Sequence, residues 1–259
     1  NKHSLLTPHR IALAASMNHA KLPVFKKPRI ALIATGDELV LPGESTGPGQ
    51  IIASNTFGLA ASVKLNGGHL IDLGIVEDTC EALKASLETA ISADADLIIT
   101  TGGASVGDHD LVFPAASELG FKFEITKIAM RPGKPFLFAK LKRDGRTVFL
   151  TGLAGNPVSS LVAYAVFVRP LLQKLGGFPT AALERQQAIL GCELPENDER
   201  AEYMRATLSH SSSGELIATP FKKQDSSMLA NLVRADCLVY RPVKAPAACV
   251  HECCEIVLL

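Results

Sequence analysis

The chain has 259 residues, which is one large domain or two modest ones at ~100–200 residues per domain. Its 26 Lys and Arg are balanced by 26 Asp and Glu, so no overall field draws it to nucleic acid or to an anionic membrane surface. With 47% hydrophobic and 20% charged residues it is not a disordered chain, and with no Trp and 5% aromatics it lacks stacking platforms for single-stranded nucleic acid.

Any anion bound here must therefore be held by local donors. No apolar run approaches the ~20 residues that a bilayer requires; the longest, 161–168, is broken by Tyr164 and followed by Arg169-Pro170. Neither nucleic acid nor a membrane is an expected partner. The opening Asn1-Lys2-His3-Ser4 is not a signal peptide, and its first residue, which is not Met, fits the tail of a longer chain. Cys80, Cys192, Cys237, Cys249, Cys253 and Cys254 include no CxxC pair; they read as reduced, buried small hydrophobes, which places the protein in the cytoplasm.

In chain order, residues 1–28 hold one predicted helix (8–17) and a Lys26-Lys27-Pro28 entry segment. The unbroken apolar run 29–35 (RIALIAT) predicts a parallel strand buried on both faces. Ser54 is the expected cap of a helix over 55–66 that Gly67-Gly68 stops. A second strand is expected at 69–76. Asp78 with Glu81 resembles a capping box for a helix that sets Leu83, Leu87, Ala90 and Ile91 on one face. A third buried strand, 97–101, ends in Gly102-Gly103, and a helix is expected over 110–119. A strand is expected within 121–129, and a hairpin joins 136–141 to 147–153 through Asp144-Gly145. A long helix over 157–175 starts at a Pro and ends at Gly176-Gly177.

Strand alternating with helix is the rhythm of an α/β protein with a doubly wound, mostly parallel sheet. The pattern then changes to short strand-like runs at 187–194, 203–210, 215–221, 237–241 and 255–259, separated by Pro, Gly, Asn and Ser. This divides the chain into an entry segment (1–28), an α/β domain (29–180) and a small C-terminal β domain (181–259).

Ligands of open parallel sheets bind beyond the carboxyl ends of the strands. Four polar, Gly-rich loops are expected at that edge. They are Thr35-Gly36-Asp37-Glu38-Leu39, the run from Gly102-Gly103 through Ser105 and Gly107 to Asp110, Arg131-Pro132-Gly133-Lys134-Pro135, and Gly155-Asn156-Pro157-Val158-Ser159. Glycines admit close backbone approach and a helix start carries about half a positive charge, so the set reads as an anion cradle flanked by carboxylates. A divalent ion such as Mg²⁺, between Asp groups and phosphate, would reconcile those charges. Each loop also has an ordinary structural reading as a turn, a cap or a solvated charge pair. No GxGxxG, GxxxxGKS or GxSxG motif is present.

The order and spacing of TGDEL (35–39), GGxSxGxxD (102–110), PGKP (132–135) and GLxGNPVS (152–159) resemble the molybdopterin molybdotransferase family, of the MoeA and gephyrin E-domain type. Leu41-Pro42-Gly43-Glu44, Gly49-Gln50-Ile51 and Ser54-Asn55 are similar too, and 224–242 resembles the family's barrel-like C-terminal β domain. The resemblance implies a molybdopterin-binding-like α/β fold and insertion of molybdenum from molybdate into adenylylated molybdopterin, with release of AMP and a divalent metal. It implies Asp37 and Asp110 as catalytic and metal-binding groups. Ser105, Arg131, Lys134 and Ser159 become donors to molybdate or phosphate, while Thr35, Gly36, Gly102, Gly103, Gly107, Gly155, Asn156 and Pro157 shape the substrate cleft. It further implies a homodimer, because family members carry two more domains that complete the site across the dimer; this chain is then a fragment or a shortened relative. Ala154 stands where the family has Pro, and Asp225-Ser226-Ser227 where Gly-Ser-Gly is common. The alternative function is a molybdopterin-binding module without turnover. The β domain, and the order PGKP then GNPVS, argue against another enzyme on the same fold.

Overall fold

The computed structural model describes residues 4–103, 111–178 and 183–259. Helix α1 (Pro8–Ser16) opens on Thr7, whose hydroxyl accepts from the Arg10 amide, and it buries none of its residues. Then come β1 (Arg29–Thr35), the short β2 (Leu39–Val40) and β3 (Ile51–Ile52), α2 (Ser54–Leu65), β4 (His69–Val76), α3 (Cys80–Ser92) and β5 (Leu97–Thr101). Next follow α4 (Val112–Glu118), β6 (Lys122–Ile125), β7 (Met130–Arg131), β8 (Phe136–Arg143) and β9 (Arg146–Leu153).

Six of these strands form one sheet in the order β4-β1-β5-β9-β8-β6. Strands β4, β1, β5 and β9 run parallel, while the β8–β9 hairpin and β6 close one side antiparallel. The apolar runs are continuous because both faces are covered. On one face Ile30, Leu32 and Ile99 pack under Leu59, Val63, Val158 and Val162; on the other Ala31, Ile33 and Ile98 pack under Leu83, Leu87, Val112 and Ala115. Each fully buried Leu, Ile or Val contributes about 1.5–3 kcal/mol over leaving it exposed.

Two expected caps differ in detail. Thr79, not Asp78, caps α3 by accepting from the Ala82 amide at 3.2 Å. Ser54 is the first residue of α2 rather than its cap; that place falls to Ala53, which has no side-chain acceptor.

The long helix is continuous over Pro157–Leu175 but not uniform. It consists of α5 (Pro157–Ala163), a wider π turn (Tyr164–Val168) and α6 (Arg169–Leu175). Pro170 explains the widening: it has no N–H, and its ring would meet the Val166 carbonyl in a regular α-turn. Among the described residues this is the one helix long and apolar enough to cross a membrane, yet more than half of it is buried within the protein. Its apolar surface is used twice, against the sheet through Val158 and Val162 and against Tyr203, Leu238 and Val257 of the C-terminal strands.

Those strands are β10 (Gln186–Leu190), β11 (Ala201–His210), β12 (Leu216–Pro220), β13 (Cys237–Arg241) and β14 (Cys253–Leu258), with α7 (Leu229–Val233) between β12 and β13. They pair in the order β12-β10-β14-β13-β11, and β11 pairs back to β12, which closes a five-stranded barrel. Ala188, Ala206, Ala218 and Cys237 sit inside with Leu190, Val239 and Ile256; small residues fill so narrow an interior. Arg205 is fully buried and donates from Nε to Gln224 and from Nη1 to the Asp225 carbonyl. Strand β7, too short to be legible as a strand, joins the barrel through parallel pairing of Met130 with Ala201 and Arg131 with Glu202.

Candidate functional site

A cleft of about 300 Å³ opens at the carboxyl ends of β1, β5 and β9, where α2 and the long helix begin. Its wall includes Thr35 and Glu38 after β1, Gly102 after β5, Gly155, Asn156 and Pro157 at the long helix, and Ser54 and Asn55 at the start of α2. Ile51 and Ile52 of β3 form an apolar rim and are 54% and 39% exposed.

Backbone geometry explains the glycines after β5. Gly102 and Gly103 have φ of +85° and +60°, a region that disfavours side chains. A Cβ on Gly102 would run into the Thr35 carbonyl oxygen, and one on Gly103 would lie 2.7 Å from the Thr35 hydroxyl. The two ends of the cleft are tied by Asn55, whose amide donates to the Gly155 carbonyl at 2.6 Å and to the Thr101 hydroxyl at 3.2 Å. Asn156 caps the long helix; its Oδ1 accepts from the amides of Val158 and Ser159 at 3.1 and 3.2 Å.

Of the residues singled out from the sequence, Thr35, Gly102, Gly155, Asn156 and Pro157 line this cleft, with Gly36 and Gly103 next in the chain. Asp37 does not; its carboxylate accepts from the Asp78 amide at 3.1 Å, at the entry to α3. Ser159 is buried, its amide engaged by Asn156. Lys134 is exposed, and its carbonyl accepts from the Ile128 amide. Arg131 faces the barrel instead: it is ion-paired with Asp198 and lies 3.9 Å from Glu202. Arg131 does not line the cleft, because the pairing of β7 with β11 places it at the seam between sheet and barrel. Ser105, Gly107 and Asp110 lie outside the described residues.

Sequence reasoning passed over Glu38, the carboxylate on the cleft wall, in favour of its neighbour Asp37. Which of two adjacent acids faces a cleft depends on the turn after β1, and no local signal marks it. It also left Asn55 without a role, although Ser54-Asn55 was part of the motif set. Among the described residues no three His, Cys, Asp or Glu side chains gather in a way that could hold a metal ion.

Residues 31–174 match the family described as "Probable molybdopterin binding domain", and residues 187–259 match "MoeA C-terminal region (domain IV)". The molybdopterin molybdenumtransferase of a Nostoc species is 43% identical over 172 residues, covering 66% of this chain and 39% of that protein. The Bacillus subtilis molybdopterin molybdenumtransferase is 32% identical over 241 residues, covering 93% of this chain and 55% of that one. The chain thus spans about half the length of the curated relatives it matches. Among solved structures, the molybdopterin biosynthesis MoeA protein from Pyrococcus horikosii superposes with a TM-score of 0.83 at 29% identity, over all of this chain and 61% of that one.

Proposed function

The chain belongs to the MoeA-type family of molybdenum cofactor biosynthesis proteins, and from that premise we propose that its cleft takes adenylylated molybdopterin for the insertion of molybdenum from molybdate, with release of AMP. The observation that carries the proposal is the cleft itself. It sits at the strand ends of the molybdopterin-binding domain, and its wall is built from the Gly102 turn and the starts of two helices. Such a wall presents amide donors to a phosphate-bearing substrate without relying on net charge.

The apolar rim of Ile51 and Ile52 offers a surface for a planar ring, and Asn55 keeps the two helix starts in register. Release of AMP breaks a phosphoanhydride: water adds to phosphorus and the proton it loses goes to a carboxylate. Glu38 on the wall, with Asp37 and Asp110 on the adjoining loops, supplies the carboxylates. Molybdate, the second substrate, falls to Arg131, Lys134 and Ser159, with Ser105. For Arg131 this requires exchange of Asp198 for the oxyanion. The described residues do not assemble a site for Mg²⁺ or another divalent ion, so no step is routed through one. The reading includes a homodimer that completes the site and a cytoplasmic location.

Adenylylated molybdopterin incubated with this chain should bind saturably and yield AMP when molybdate is added. Arg131→Ala should weaken molybdate binding by ~10–100-fold, the effect of losing a charge-assisted contact. Binding without AMP release would assign the chain to the alternative, a molybdopterin-binding module. Absence of saturable binding would remove the proposal.

A further inference from the structure

Asn55 stands in the first turn of α2, half-buried on the cleft wall. Its side-chain nitrogen is fully engaged: Nδ2 donates to the Gly155 carbonyl at 2.6 Å and to the Thr101 hydroxyl at 3.2 Å. Chemistry fixes which amide atom is which, because the Gly155 carbonyl can only accept and so must face the nitrogen. Both protons of the NH2 group are then committed, and the oxygen on the same trigonal carbon is turned away from both partners. Oδ1 accepts from no donor among the described residues, yet it is not sealed from solvent. The tie across the cleft thus leaves an acceptor of fixed orientation without a partner.

An amide oxygen pairs only with donors. Phosphate diester and molybdate oxygens are acceptors at neutral pH, so this stretch of wall does not suit the anionic end of a ligand. The same cleft has an apolar side, formed by Ala34, Leu39, Ile51, Ile52 and Ala53. Ile52 precedes Asn55 by three residues, so the apolar rim and the acceptor adjoin. A ligand with a flat apolar face and an N–H donor on its edge satisfies both features at once. A sugar hydroxyl would satisfy the acceptor alone and leave the rim uncovered.

We propose that Asn55 is a specificity-determining residue: its Oδ1 accepts a hydrogen bond from the exocyclic amino group of a planar heterocycle whose ring rests on Ile51 and Ile52. The inference rests on the reading of the cleft given above and names the end of the substrate that this wall holds. Two parts of that substrate carry such an amino group, the adenine and the pterin, and both present the same donor on the edge of a flat ring. A site built around a hydrogen bond rejects the analogue that lacks the group, because its own polar atom is then left unpaired.

The test uses the 259-residue chain and two ligand pairs, each differing only in the amino group: AMP against purine ribonucleoside monophosphate, and pterin against its deamino analogue. The parent chain should prefer the amino member of one pair by about 10-fold, and which pair shows the preference tells adenine from pterin. Asn55→Ala should abolish that preference. The ratio is the readout, because loss of the tie to Gly155 loosens the cleft for both members of a pair alike. Asn55→Asp loses the donor but keeps an acceptor in place, so it should retain the preference even if its melting temperature falls. A preference that survives in Asn55→Ala overturns the assignment, as does a parent chain without preference or without saturable binding in either pair. A preference lost in both variants also overturns it and leaves Asn55 as a structural tie. Turnover is read separately as AMP release from adenylylated molybdopterin. A chain that selects the amino group through Asn55 yet releases no AMP loses the proposed activity and keeps this assignment; one that releases AMP without the preference does the reverse.

Discussion

Arg131, at the end of β7, donates from Nη2 to Asp198, so a cation of the PGKP loop is neutralised by a carboxylate at the edge of the barrel. Asp198 is held in place from several sides. Its Oδ1 accepts from the Arg200 amide at 2.9 Å, its carbonyl accepts from the Lys244 amide at 2.8 Å, and the neighbouring Asn197 amide group donates to the Arg200 and Pro242 carbonyls. The Arg200 amide, and then the guanidiniums of Arg131 and Arg200, hold the Asp198 carboxyl below the usual carboxylate range, so it stays charged at neutral pH. Among the described residues Arg131 Nε is buried without a partner, which leaves the guanidinium incompletely satisfied where it is.

Asp198 therefore competes with any oxyanion for Arg131. Asp198→Asn keeps an acceptor for the Arg200 amide and removes the charge. Molybdate should then bind about 3–10-fold more tightly, and the gain should vanish when Arg131→Ala is added. The pair is solvent-accessible, so the melting temperature should change little. Molybdate titrations of the single and double variants decide this; weaker binding in Asp198→Asn would mean that Asp198 orients Arg131 for the oxyanion instead of withholding it.

Gly102→Ala should destabilise the protein by about 2 kcal/mol or more. Its φ of +85° costs an alanine roughly 1–2 kcal/mol, and the added methyl meets the Thr35 carbonyl, a backbone atom at the end of β1. A urea midpoint equal to that of the parent chain would show that the turn relaxes freely, and would remove the geometric basis for the narrow cleft floor.

Alkaline pH should erode stability through two buried acids. Burial pushes the Tyr164 hydroxyl up to about 12 and the Cys237 thiol up to about 12. In the unfolded chain they titrate near 10 and 8.5. Above those values the unfolded state loses protons that the folded state keeps. Their contribution is thus complete below about pH 8.5 and declines as pH rises towards 12. Melting temperatures from pH 7 to 10 should fall, and less steeply in Cys237→Ala measured against its own pH 7 value. An equal slope in both would remove Cys237 from the account.

Much of this molecule was legible from local pattern. The strand 29–35 and the one-face set Leu83, Leu87, Ala90 and Ile91 could be read because burial follows the period of the element. The hairpin at Asp144-Gly145 was legible because both residues take left-handed φ, at 51° and 75°. The π turn at Tyr164–Val168 and the two-residue β7 were not, since neither has a periodicity long enough to see.

The sequence by itself determined the strand–helix order, the change to short strands after the long helix, and the motif loops that mark the family. These are local properties, set by side-chain period, turn chemistry and spacing along the chain. Only the tertiary structure decided which of those loops share a cleft. Thr35, Gly102 and Asn156 meet because β1, β5 and β9 are aligned in parallel and end together. Arg131 parts from them because β7 pairs with β11 across 71 residues of sequence (Arg131 with Glu202). The Asn55 tie is likewise a tertiary fact: its amide reaches the Gly155 carbonyl across 100 residues of sequence, because α2 and the long helix both begin at this edge of the sheet.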